Sequence, residues 1–224
     1  IDEYARRHSQ YSRAQKKKME GRVAAGRDAQ GKLSLCVLAS KAGKLGYLSA
    51  PCALRPGMFG ACTEDAVLAS STDPTKKRYI EAKTCGELAR DSNGNSAHYH
   101  VHIQLRHDDG RETQWGTLIG FLRPARAKFR VFRTPEDTLS DIFDNMADSG
   151  YEVFIAHRPK MMQCAREGKT AALSSTVITS CIPISATSVE GKGSQTLLNK
   201  AVTARFSFKQ LRDEPGLLAR LFDV

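Results

Sequence analysis

The sequence predicts a mainly β body, an antiparallel sandwich or jelly-roll-like barrel, behind a basic N-terminal arm. Three observations lead there: short apolar runs separated by turn residues, one stretch of strict period-two alternation, and an uneven spread of positive charge. The chain has 224 residues, 41% hydrophobic and 26% charged, which is ordinary for a folded globular protein and unlike a disordered or fibrous one. No apolar run exceeds about seven residues, Gly116 to Leu122 being the best, where a membrane helix needs roughly 20. No transmembrane segment is expected. The opening residues are charged and polar, with no apolar stretch of the kind a secretory signal carries.

The organisation expected is an arm over residues 1–32, partly helical or disordered, and one β-rich domain over 33–224. Glu3 to Glu20 permits a helix, but Tyr4, Tyr11 and Met19 form too thin a stripe to drive folding alone. Gly21, Gly26 and Gly31 punctuate its end, and Leu33 to Ala39 then reads as the first core strand. Within His98 to Arg106, polar residues alternate with Tyr99, Val101, Ile103 and Leu105. Asp108, Asp109 and Gly110 supply a turn, and Thr113 to Leu122 reads as the returning strand of an antiparallel hairpin. Further strands are expected at Ala66 to Ser70, Arg78 to Lys83, Lys128 to Phe132, Tyr151 to Ala156, Ser175 to Ile182 and Ala201 to Phe208.

One internal helix is signposted by Thr134 as N-cap, Pro135 in the first position, and Glu136 and Asp137 at the positive end of the dipole. Leu139, Ile142, Phe143 and Met146 give it an apolar face, and Gly150 stops it. Its expected role is to close one end of the sandwich. A short C-terminal helix is expected from about Pro215 to Phe222.

Thirty-four Lys and Arg against twenty-four Asp and Glu give a net charge of +10. A basic chain of this size is suited to a polyanion or an anionic surface. The first 32 residues hold nine cations, Arg6, Arg7, Arg13, Lys16, Lys17, Lys18, Arg22, Arg27 and Lys32, against four acids. A second tract, Arg123, Arg126, Lys128, Arg130 and Arg133, contains no acid and is interleaved with Phe129, Val131 and Phe132. As a strand it would space Arg126, Lys128 and Arg130 about 6 to 7 Å apart on one face, near the phosphate spacing of a nucleic-acid backbone. Lys76, Lys77 and Arg78 add a third cluster. The arm and the second tract are the expected nucleic-acid-binding residues.

Six cysteines show no C-x-x-C pair and no Cys/His grouping at zinc spacing. Several lie in apolar stretches, so reduced thiols in an intracellular or virion setting are expected, with no metal or other cofactor. Gly26 to Lys32 imitates a phosphate-binding loop, but Leu33 stands where the metal-binding hydroxyl belongs and no apolar strand precedes it. No G-x-S-x-G or H-E-x-x-H motif is present.

His98, His100 and His102 share one face of one strand. The run His98-Tyr99-His100-Val101-His102 resembles the histidine-triad nucleotide hydrolases and transferases, which implies phosphoryl chemistry with His100 as nucleophile. It also looks like the histidine-hydrophobic-histidine motif of replication-initiating endonucleases, which implies a divalent metal and a helical tyrosine, and the helix at 135–148 holds no tyrosine. A plain reading is a surface strand touching phosphate or a neighbouring subunit, sensitive to acid through its imidazoles.

The layout of cationic arm and β-rich body looks like that of small RNA virus coat proteins, which implies a non-enzymatic structural protein that binds RNA and assembles with copies of itself. A subunit of a ribonucleoprotein machine, such as an organellar ribosomal protein, is the alternative, and the histidine-triad enzyme is a third.

Overall fold

The computed structural model describes residues 31, 33–38, 40–41, 48–49, 65–69, 77–90, 96–106, 112–124, 138–168, 177–183 and 197–222. They form a mixed α/β fold with no closed barrel, which corrects the all-antiparallel sandwich. The strands are β1 (Leu48–Ser49), β2 (Ala66–Ala69), β3 (Lys77–Arg90), β4 (Ser96–Gln104), β5 (Thr117–Arg123), β6 (Glu152–His157), β7 (Val177–Pro183) and β8 (Val202–Ser207). The helices are α1 (described residues within 31–41), α2 (Leu139–Asp148), α3 (Arg158–Glu167), α4 (Leu197–Ala201), α5 (Phe208–Asp213) and α6 (Leu217–Phe222).

The main sheet runs in the order β1-β2-β3-β5-β6-β8. Its one parallel pair among the described strands is β3 with β5, from Ile80↔Thr117 to Gly86↔Arg123. The last part of β3 pairs instead with β4, and β4 pairs antiparallel with β7. The hairpin expected between His98 to Arg106 and Thr113 to Leu122 therefore does not form. An isolated bridge, Arg106↔Glu112, is what remains of it.

The reason lies in β5. Its residues 117–122 are all buried, as a strand covered on both faces requires. Ile119 and Phe121 face one core with α1, α2, α5 and α6, through Leu35, Val37, Leu38, Phe143, Met146, Phe208 and Leu218. Leu118 and Leu122 face a second core, built from Tyr99, Val101 and Ile103 of β4, Ile178 and Ile182 of β7, and residues of α3 and α4. Each fully buried Leu, Ile or Phe is worth about 1.5–3 kcal/mol, so the two-sided strand is the main organiser of the fold.

Leu33 to Ala39, expected as a strand, is helical at its described positions and buries Ser34, Leu35, Val37 and Leu38. The internal helix is confirmed but starts later. Thr138 is extended and caps it, accepting a hydrogen bond from Asp141 N (3.2 Å) while Asp141 Oδ2 accepts one from Thr138 N (2.8 Å). Its Ile142, Phe143 and Met146 lie against the sheet face, so it covers a layer rather than closing an end. Gly150 ends it at φ +75°, a conformation that favours glycine. α3, α4 and α5 were not anticipated; strands at 66–69, 152–157, 177–183 and 202–207 and the C-terminal helix fall within a residue or two of where expected, and β3, expected over Arg78 to Lys83, runs on to Arg90. The expected strand at Lys128 to Phe132 lies outside the described residues.

Candidate nucleic-acid interface

The cations singled out in the sequence are only partly placed. Arg123 ends β5, half-buried and opposite Gly86 in register. Arg6, Arg7, Arg13, Lys16, Lys17, Lys18, Arg22, Arg27, Arg126, Lys128, Arg130 and Arg133 lie outside the described residues.

The third cluster leads to a described site. Arg78 stands two residues before Ile80, and a row across the sheet runs Ile80, Thr117, His157. Alternation puts Arg78, Thr117 and His157 on the same sheet face at one end, beyond Ile119 and Ile155 of the first core. Thr117 is buried, and its Oγ1 lies 3.4 Å from His157 Nδ1. His157 is also the residue before α3, whose first turn carries no acid and contributes an exposed Lys160. Desolvation holds the His157 pKa below its ordinary value, and the nearby charges of Arg78 and Lys160 push it lower. Three elements thus bring cationic or protonatable groups to one sheet end.

Arg158 positions this end. Its backbone N–H donates to Gly116 O (2.9 Å). Its guanidinium donates to Thr113 O, to Thr113 Oγ1 (2.8 Å) and to Leu105 O (3.3 Å), and lies 5.2 Å from the centre of the Trp115 ring. Trp115 Nε1 in turn donates to Gln104 O (2.8 Å). Burial lowers the pKa of Arg158, and Glu112, 3.6 Å away and mostly exposed, opposes that shift. The network fixes Leu105 and the run from Thr113 to Gly116 against α3, and so fixes where β5 begins.

The histidine strand is β4. Tyr99, Val101 and Ile103 are buried in the second core, and His102, on the opposite face, is exposed. Among the residues with described side chains, no three His, Cys, Asp or Glu are grouped to hold a metal ion. Cys36, Cys85 and Cys164 form no disulfide, and Cys85 is buried in the second core. No described helix is long and apolar enough to cross a membrane.

His157 and Lys160 escaped the sequence reading because they sit on separate elements, and only the strand register brings them to Arg78. The Lys76 to Arg78 cluster was the one available signal. Comparison with protein-family models, curated proteins and solved structures gives no match for this chain.

Proposed function

We propose that this chain is a non-enzymatic structural protein that binds nucleic acid, RNA in the first place, and assembles with copies of itself, as a coat or nucleocapsid protein does. The observation that carries the reading is the convergence of Arg78, His157 and Lys160 at one end of the main sheet. It adds a folded cationic site to the two basic tracts of the sequence. The arm, the Arg123 to Arg133 tract and this site would together offset backbone phosphate charge, with the two-core body as scaffold. Such binding is electrostatic and releases counterions, so affinity should fall with salt by a log-log slope of about −0.7 per phosphate neutralised on single strands.

The test is RNA affinity as a function of salt for the full chain and for a chain lacking residues 1–32. A flatter slope in the truncated protein supports the reading, and an unchanged slope removes the arm from it. Negative-stain imaging with and without RNA reads assembly. Uniform particles favour a shell, while a monomer that binds only one structured RNA favours a ribonucleoprotein subunit.

A further inference from the structure

His157 ends β6 and immediately precedes α3, so its ring stands where strand, helix and the start of β5 meet. β5 offers it Thr117, which is buried and whose Oγ1 lies 3.4 Å from Nδ1. A hydroxyl can donate or accept, so Thr117 serves the neutral and the charged imidazole alike and holds the ring without fixing its charge. His157 is half-buried, which leaves part of it open to a ligand. The charges that act on it are Arg78 from β3 and Lys160 from α3, both cationic. Glu81 and Lys83 of β3 pair with each other on the opposite sheet face, and the Arg158 guanidinium of α3 lies over Trp115 and faces Glu112. α4, which packs on β6, carries one charged residue, the exposed Lys200.

These neighbours oppose a proton on His157 in the free protein and would favour one once a phosphate lay among them. We propose that the polyanion site is proton-coupled: His157, beside Arg78 and Lys160, takes up a proton when phosphate seats at this sheet end, so the chain holds a polyanion more tightly in acid. The proposal rests on the polyanion reading of the same site and adds its regulation. Linkage is reciprocal, so a ligand that favours the protonated ring is itself bound better by the protonated ring. Burial and the two cations keep the pKa of the free ring below 6.5. Well above that value the site carries two cations, and well below it three. As pH falls, affinity begins to rise at the pKa of the bound form and levels off below that of the free form. One further phosphate neutralised adds about 0.7 to the log-log salt slope, which is roughly a fivefold gain in affinity at about 0.1 M salt.

The experiment measures affinity of the full chain for poly(U), whose bases and phosphodiesters hold their charge across the range, at about pH 7.5 and about pH 5.5 over a series of salt concentrations. The expected result is binding about fivefold tighter in acid at about 0.1 M salt, with a salt slope steeper by about 0.7. His157→Asn should lose both changes, whereas His8→Asn and His102→Ala, which remove imidazoles from the arm and from β4, should keep them. His157→Lys, charged at either pH, should bind at the higher pH as the unaltered chain does at the lower. In the unaltered chain, calorimetry near pH 6.5 in two buffers of different ionisation enthalpy should show net proton uptake on binding, a readout that needs no variant to fold. An acid gain that survives in His157→Asn or disappears in His8→Asn, or binding without proton uptake, would overturn the coupling and leave the polyanion reading standing. Absence of poly(U) binding at both pH values would overturn the two together.

Discussion

The ring of Phe154 lies over Gly120 across the β5–β6 pair, filling the volume that any side chain at position 120 would need. Phe154 belongs to the second core and is fully buried, so its ring has no free space to retreat into. Gly120→Ala is expected to cost about 1–3 kcal/mol by overpacking. Thermal unfolding should read this as roughly 2–4 °C per kcal/mol for a chain of this size. Replacing Phe154 by Leu should make the same glycine change cheaper, and a double-mutant cycle showing strict additivity would count against the contact.

Arg158 supplies the second prediction. Its guanidinium donates to the carbonyls of Leu105 and Thr113 and covers Trp115, so Arg158→Met keeps the bulk but takes the donor from Thr113 O, while Leu105 O keeps the Thr113 N–H and Oγ1. A loss of roughly 2–3 kcal/mol is expected from charge-assisted hydrogen bonds removed at a largely buried site. Glu112→Gln should cost under about 1 kcal/mol, because that carboxylate is 68% exposed and its ion pair is loose. Urea unfolding of the two variants checks the ranking, and equal effects would mean that the ion pair, not the carbonyl network, carries the anchoring.

How much of this was legible before the fold was known depends on the kind of signal. Alternation in β4 and the i, i+3, i+4 pattern of α2 are local, and both elements formed. Leu33 to Ala39 is a short apolar run, where periodicity does not separate a strand from a buried helix, and the helix won because the first core accepts Leu35, Val37 and Leu38 together. The continuous apolar run of Thr117 to Leu122 was the missed clue to a strand covered on both faces. An outer hairpin strand would have alternated. α3 carries just Met161 and Ala165 as fully buried anchors, too sparse a stripe to be seen. The cationic end was illegible because Arg78 and His157 become neighbours through pairing with β5, and nothing in the chain between them announces that.

His157 gives a prediction with a definite sign. Its pKa lies below the ordinary 6.5 because of burial, with Arg78 and Lys160 adding to the shift. As pH falls, the unfolded chain takes up this proton first, so the contribution of His157 to stability is full above 6.5 and is lost progressively below it. His157→Asn should therefore flatten the stability profile on the acid side of 6.5 and leave the slope above it unaltered. Denaturant melts across that window provide the measurement, and an identical acid-side slope in the variant would assign the loss to other groups.

The last prediction joins electrostatics to function. Lys160 and Arg78 both repel a proton on His157, so Lys160→Gln or Arg78→Gln should each move the His157 titration upward when followed by NMR of the imidazole. A polyanion seated between these groups supplies the opposite charge and should move it upward as well in the unaltered protein, further at low salt than at high salt because screening shortens the reach of the phosphates. The same substitutions should reduce the salt slope of RNA binding by about 0.7 for each cation removed, and Lys160→Gln should not change Tm by more than about a degree, since Lys160 is exposed. If both variants shift His157 while RNA leaves it still and the slope is unaffected, the cluster is a feature of the fold and the polymer binds elsewhere on the chain. If RNA shifts His157 and the slope drops, the end of the main sheet touches phosphate.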